Sequence, residues 1–212
     1  MLSISKQSTT AILLLICSLL LLSSCSLKAT KKAPEPLDWQ QRQALLSAIS
    51  NWSMRARIGI RSEQVNGSAS LIWDETDGKR TLNLLGPLGG GAIRLVQDAD
   101  GATLTDSKGR SWQNDNASEL VSQATGWKIP LSGLRWWMLG LTEPGHAAEY
   151  SFDEQSRLQT ITQQGWNVTY NKYASFSNYE LPSSITVTTD NVETGTTPVR
   201  VKLIVKEWEI KK

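Results

Sequence analysis

The side chains that could do chemistry are few in this 212-residue chain. Its single histidine, His146, lies in the Pro-Gly loop "TEPGHAAE", and nothing pairs with it in a known catalytic or metal-binding motif. Neither G-x-S-x-G nor H-E-x-x-H occurs, so the usual hydrolase and zinc-protease signatures are missing. Asp74, Glu75, Asp77, Asp153 and Glu154 fall where turns are expected, and solvated turn carboxylates need no catalytic reading. A glycosidase pair follows no sequence spacing, so a periplasmic hydrolase stays as a distant alternative. The run "GPLGGGAIRL" from Gly86 invites a phosphate reading, because glycine-rich backbone cradles anions. A phosphate loop needs a Gly-Lys-Ser/Thr ending that opens a helix. Here no lysine follows, and the next residues alternate like a strand. What remains is a strand connection in which Pro87 stiffens the backbone and glycines such as Gly89 permit tight turning. Leu88 then stands apolar at its tip. No catalytic residue, metal or cofactor follows from these motifs.

One motif does carry chemistry. Lys6 and the apolar "AILLLICSLLLL" read as an export leader, too short to span a bilayer comfortably. The leader ends in "LSSCS": leucine, two small residues and Cys25 resemble a bacterial lipobox, in which the cysteine thiol is acylated and becomes the first mature residue. Residues 1–24 are therefore expected to be a lipoprotein signal peptide and 25–37 a polar, proline-punctuated tether ("SLKATKKAPEP"), with a single folded domain over 38–212. Ser26 stands where aspartate would retain a lipoprotein in the inner membrane, which directs the expectation to the outer membrane of a Gram-negative bacterium, facing the periplasm. Cys17 is lost with the leader, so the mature chain has no thiols to pair and must stand on packing. A net charge of +2 without a dense basic face makes nucleic acid an unsuitable partner.

The elements that position these residues follow from periodicity. Asp38 can cap a helix in "DWQQRQALLSAIS", with Trp39, Leu45, Leu46 and Ile49 as its apolar stripe. In "NWSMRARIGIR" the period becomes two: Trp52, Met54, Ala56, Ile58 and Ile60 point one way, and Ser53, Arg55, Arg57 and Arg61 the other. "GSASLIWD" repeats it through Ala69, Leu71 and Trp73. Short strands follow, punctuated by Asn-Gly and Asp-Gly pairs. "NASELVSQATG" reads as a helix capped by Asn116 and stopped by Gly126. "LSGLRWWMLG" reads as another, capped by Ser132 and stopped by Gly140, with Leu134, Trp137 and Met138 on one face. Five further strands end in "VRVKLIVKEW". Eleven hairpin-linked, two-faced strands predict a mainly β fold: an antiparallel sheet curled into an open barrel, its apolar inner face covered by about three helices. Nine tryptophans against two phenylalanines suit the walls of an apolar cavity, and equally suit stacking on sugars. The alternative is thus a cell-wall or glycan-binding lipoprotein.

Taken in order, "LSSC", "NWSMRARIGIR", "GSASLIW", "LLGPLGG", "GWKIPLSGLRWWMLG", "QGWNVTY", "ELPSSITV" and "VKLIVKEW" resemble the LolB family of outer-membrane lipoproteins over nearly the whole mature chain. The resemblance implies an eleven-stranded open barrel with a helical lid and an apolar cavity for acyl chains. It implies a monomer that accepts acylated lipoprotein cargo from the periplasmic carrier LolA and inserts it into outer-membrane lipid, without catalysis. Residue by residue, Cys25 matches the acylated cysteine, and Leu88, flanked by Pro87 and Gly89, matches the membrane-insertion loop. Trp39, Trp73, Trp137, Trp166 and Trp208 match aromatic positions. With Leu46, Trp52, Met54, Ile58, Leu134 and Met138 from the apolar faces, they are the cavity and lid candidates. "DNVETGTTP", residues 190–198, is longer than the family's usual final hairpin, and its role is left open.

Overall fold

A computed structural model describes residues 37–63, 65–86, 91–189 and 198–211. Within them the chain forms α1 (Trp39–Ser47), then β1 (Trp52–Arg61), β2 (Asn66–Thr76), β3 (Lys79–Leu85), β4 (Ala92–Asp98), β5 (Gly101–Asp106) and β6 (Ser111–Asn114). The helices α2 (Ala117–Thr125) and α3 (Leu131–Leu139) follow. The chain then returns to β7 (Ala148–Phe152), β8 (Leu158–Gln163), β9 (Trp166–Phe176), β10 (Tyr179–Thr189) and β11 (Val199–Ile210).

All eleven strands belong to one antiparallel sheet, ordered β6-β5-β4-β3-β2-β1-β11-β10-β9-β8-β7. The first and last strands pair in its middle, from Trp52 opposite Ile210 to Arg61 opposite Arg200. The edges, β6 and β7, do not meet, so the barrel is open, and the α2–α3 pair is the connection between them. The alternation predicted for β1 is observed: Trp52, Met54, Ala56, Ile58 and Ile60 are buried while Arg55, Arg57 and Arg61 are exposed. The Asp77-Gly78 turn has both residues at positive φ (53° and 76°), the backbone that a two-residue hairpin needs to match strand twist.

Two expectations about helices require correction. Leu45, expected on the apolar stripe of α1, is exposed; Leu46 of that stripe is buried, joined on the buried face of the helix by Arg42. Asp38 does cap α1, in a capping box with Gln41. Asn116 and Gly126 bound α2 as expected. Ser132, however, lies inside α3, whose N-cap is Pro130 without any side-chain cap. The Leu131 N–H donates instead to Ser118 Oγ of α2 at 3.2 Å, so the neighbouring helix supplies the cap.

Because the strands are antiparallel, the ends of β1, β3 and β5 lie beside the starts of β2, β4, β6 and β11 at one end of the sheet. This end is called the rim here; the opposite end holds Trp52, Asp77 and Glu209. At the opposite end the interior is filled. Trp52 packs on Trp73 and Trp208 with ring centroids 5.6 and 5.0 Å apart, and neither Trp52 nor Trp73 is exposed at all. Each such ring buries on the order of 200 Å². A tryptophan plug thus closes one end, leaving any hollow to the other.

Candidate functional site

The hollow lies at the rim. A cavity of about 480 Å³ opens between β2, β3, β4 and the segment after α2, walled by Val65, Ala69, Leu84, Ile93 and Trp127. Its volume is in the range of sites that take small organic ligands. The backbone at its mouth is Gly86 and Gly91, and the Gly86 N–H donates to the Gly91 carbonyl at 3.0 Å, closing the base of the connection that includes Leu88 in its sequence. Pro87, Leu88 and Gly89 themselves lie outside the described residues, as do Cys25, the expected leader 1–24 and all but Leu37 of the expected tether 25–37. So does most of the 190–198 hairpin.

Trp127 reaches the wall because β2 makes room for it. A Cβ on Gly67 would lie 3.1 Å from Trp127 Cζ2, closer than an ordinary contact, so the ring occupies the space that the glycine leaves. At the other side Gly126, at φ 73°, ends α2 in the left-handed region and turns the chain back toward Val65.

The eleven cavity and lid candidates fall in two groups. Leu46, Trp52, Met54, Ile58, Trp73, Leu134, Trp137, Met138 and Trp208 are brought together in one buried cluster beneath the helices. Trp39 and Trp166 are partly buried against its margins; Trp39 meets Tyr150 and Phe152 of the edge strand β7. None of the eleven is among the residues walling the rim cavity. The wall was missed in the sequence because Val65, Ala69, Leu84 and Ile93 have nothing to set them apart from other inward residues. Only Gly67, a glycine within a strand pattern, signals a close approach. Of the tryptophans, only Trp112 stands exposed, which removes the support that the residue count lent to sugar stacking.

Polar groups inside the barrel fasten the lid. Glu75 was read as a solvated turn residue, but it is buried with only 4% of its surface exposed. Position 75 continues the inward alternation of Leu71 and Trp73, which overrides its nearness to the turn. Its carboxylate accepts from Trp73 Nε1 at 2.8 Å, from Arg80 Nε, and from Arg135 Nε of α3 at 3.1 Å. Each guanidinium lies against a tryptophan, Arg80 on Trp73 and Arg135 on Trp136. On the other wing, Trp137 Nε1 donates to buried Gln163 Oε1 at 3.0 Å, and the Tyr170 hydroxyl donates to the Trp137 carbonyl at 3.0 Å. Burial pushes the Tyr170 phenol well above its ordinary pKa, so it stays a proton donor to that carbonyl. Helix α3 is therefore tied to β2 on one side and to β8 and β9 on the other.

His146 is exposed, its ring near its own loop carbonyl at Pro144, and among the described residues no group of three metal-ligating side chains converges. No helix in the described residues is long and apolar enough to cross a membrane.

Comparison with known proteins gives a consistent picture. The family model for "Outer membrane lipoprotein LolB" matches residues 50–208. The chain is 30% identical over 201 residues to the outer-membrane lipoprotein LolB of Stutzerimonas stutzeri, covering 93% of this chain and 94% of that one. Its identity to the protein of the same description from Pseudomonas aeruginosa PAO1 is 30% over 197 residues, with 91% and 92% covered. Among solved structures it is similar to a LolA superfamily protein from Nitrosomonas europaea. The TM-score is 0.54 at 7% identity, with 83% and 94% of the two chains covered, a likeness of fold alone.

Proposed function

The chain belongs to the LolB family of outer-membrane lipoproteins, and from that premise we propose that it accepts acylated lipoproteins from the periplasmic carrier LolA and inserts them into the inner leaflet of the outer membrane. The observation that carries this reading is the apolar cavity of about 480 Å³ at the rim, opening beside the connection that bears Leu88. An acyl chain is costly to expose: at about 0.8 kcal/mol per methylene, a sixteen-carbon chain loses on the order of 12 kcal/mol of favourable burial in water. Cargo crossing an aqueous compartment needs a shield, and the walls at Val65, Ala69, Leu84, Ile93 and Trp127 supply one. Transfer then runs downhill, from carrier to cavity to bilayer, with no bond made or broken by this chain. The α3 ties and the tryptophan plug keep the far end closed, so a chain enters and leaves at the rim.

In this reading Cys25 carries the acyl anchor, residues 25–37 are the tether, and 38–212 form the cargo-binding domain. Leu88, between Pro87 and Gly89, contributes only about 1.5–3 kcal/mol by entering a bilayer. That is too little to anchor a protein and enough to bias a delivery step. Two substitutions separate uptake from delivery in a carrier-to-liposome transfer assay with labelled lipoprotein. Ala69→Phe fills the cavity wall and is expected to reduce uptake from the carrier severalfold or more. Leu88→Glu is expected to leave uptake intact and to stop release into the liposome. Wild-type uptake by the first variant would remove the cavity from the mechanism; wild-type insertion by the second would remove the leucine.

A further inference from the structure

The charges of the domain are not scattered evenly. At the end opposite the rim, the turns carry exposed Asp77, Asp98, Asp100 and Glu154, with Lys79 as a basic neighbour and Asp153 already held by Arg157. Around the rim stand exposed Arg61, Arg94, Lys108, Lys128, Arg200 and Lys202. Their acidic neighbours among the described residues on this side are Glu63 and Asp106, and Asp106 is already held by Arg110. Glu143 and Glu149 stand at this same end of the strands, on the β7–β8 wing. The 190–197 segment, with Asp190 and Glu193 in its sequence, lies outside the described residues.

One pairing within this group costs stability. Arg61 and Arg200 are directly opposite each other on β1 and β11, both exposed, and like charges at such positions repel. No ion pair within the described residues relieves either of them. A repulsion of this kind is relieved by an anion that both guanidiniums can share.

We infer that the rim is a docking face for the anionic headgroup layer of a lipid bilayer. The layering favours a bilayer over an acidic protein. Leu85 is 39% exposed at the rim and the apolar cavity opens beside it, so an apolar mouth lies at the same end of the strands as these cations. A bilayer presents the complement: phosphates outside, hydrocarbon within. The acidic turns at the far end give the molecule a charge separation along its strands, which turns the rim toward a negatively charged surface. This deepens the delivery reading above and rests on it only for its purpose, since docking itself needs no cargo.

The test uses the full mature chain with vesicles of neutral phosphatidylcholine or of the same lipid with anionic phosphatidylglycerol. A fluorescent reporter is placed at Leu85→Cys or, as a control at the far end, at Asp77→Cys, and a headgroup-labelled lipid acts as quencher. Quenching at 85 but not at 77, several times stronger on anionic vesicles and lost at high salt, is the expected result. The combined Arg61→Gln, Arg94→Gln and Arg200→Gln variant is expected to lower the docked equilibrium on the order of a hundredfold, about fivefold per cation, whether or not the anchor holds the chain nearby. The combined Arg55→Gln, Lys79→Gln and Lys206→Gln variant changes net charge equally and is expected to keep docking. Arg200→Gln alone is expected to weaken docking while leaving thermal stability equal or higher, so lost docking is not mistaken for unfolding. Equal quenching on neutral and anionic vesicles, or equal loss in the two triple variants, would overturn the inference. Unchanged quenching in the rim variant with impaired uptake from the carrier would also overturn it, in favour of an acidic protein partner. Cargo transfer measured on the same samples is a separate readout: docking without transfer counts against the proposed function and not against the docking face.

Discussion

Gly133 has no side chain, and Trp137 uses the space. A Cβ at position 133 would lie 2.6 Å from Trp137 Cζ2, and that indole is fully buried with its N–H on Gln163. In an open helix, replacing glycine by alanine stabilises by roughly 1 kcal/mol. Here the ring cannot move without breaking its bond to Gln163, so overpacking decides the sign. Gly133→Ala is expected to destabilise the domain by about 1–3 kcal/mol, read as a lower urea midpoint with an unchanged slope. An increase in the midpoint would mean that the indole repacks freely. Nothing in "LSGLRWWMLG" announces this contact, because a glycine and a tryptophan four residues apart on a helix face pack in many ways.

The helices act as struts between parts of the sheet that are distant in sequence. At the α1 end, Arg157 Nη1 and Arg42 Nη2 share the Glu180 carboxylate at 2.6 and 3.2 Å, while Arg157 Nε also holds Asp153 at 2.7 Å. This network joins α1, the β7–β8 turn and β10. Burial pushes the Asp153 carboxyl up, but hydrogen bonds from the Arg157 backbone and guanidinium outweigh it, and the net pKa lies below the ordinary 3.8. A carboxyl with a depressed pKa stabilises the fold above its unfolded pKa, and that contribution fades as pH falls through the lower folded value. Acid unfolding is therefore expected to steepen below about pH 4. Asp153→Asn is expected to flatten that limb and lower stability at neutral pH. Denaturant titrations of both proteins from pH 6 down to pH 2 provide the check, and parallel curves would show that Asp153 takes no part.

At the scale of the molecule, the two ends of the strands do different work. One end is plugged by Trp52, Trp73 and Trp208, is acidic at its turns, and lies near α1, which follows the proposed tether. The other end holds the cavity and the basic rim. The eleven residues of β2 span roughly 35 Å, and the twelve residue-to-residue steps from Cys25 to Leu37 reach at most about 40–43 Å. If Cys25 holds the anchor in the membrane that receives cargo, this tether is only just long enough for the rim to face that membrane. Deleting six tether residues is therefore expected to impair delivery while leaving uptake from the carrier unchanged. In the transfer assay, full delivery by the shortened chain would mean that the rim need not turn to its own membrane.

Alternation along each strand, Asn-Gly and Asp-Gly turns, and the helix boundaries at Asp38, Asn116, Gly126 and Gly140 are local properties. The sequence by itself therefore determined the eleven strands, the three helices and the need for a cover, and its ordered motifs pointed to the family. The tertiary structure alone decided what lies inside. Inward-facing residues look alike in sequence whether they fill a core or wall a hollow, so Trp52 and Trp127 became distinguishable only when strand register placed one in the plug and the turn after α2 placed the other at the rim. The fold likewise brought Arg135 of α3 onto Glu75, and strand register set Arg61 against Arg200. Such pairings join residues as much as 139 positions apart, and no local periodicity encodes them.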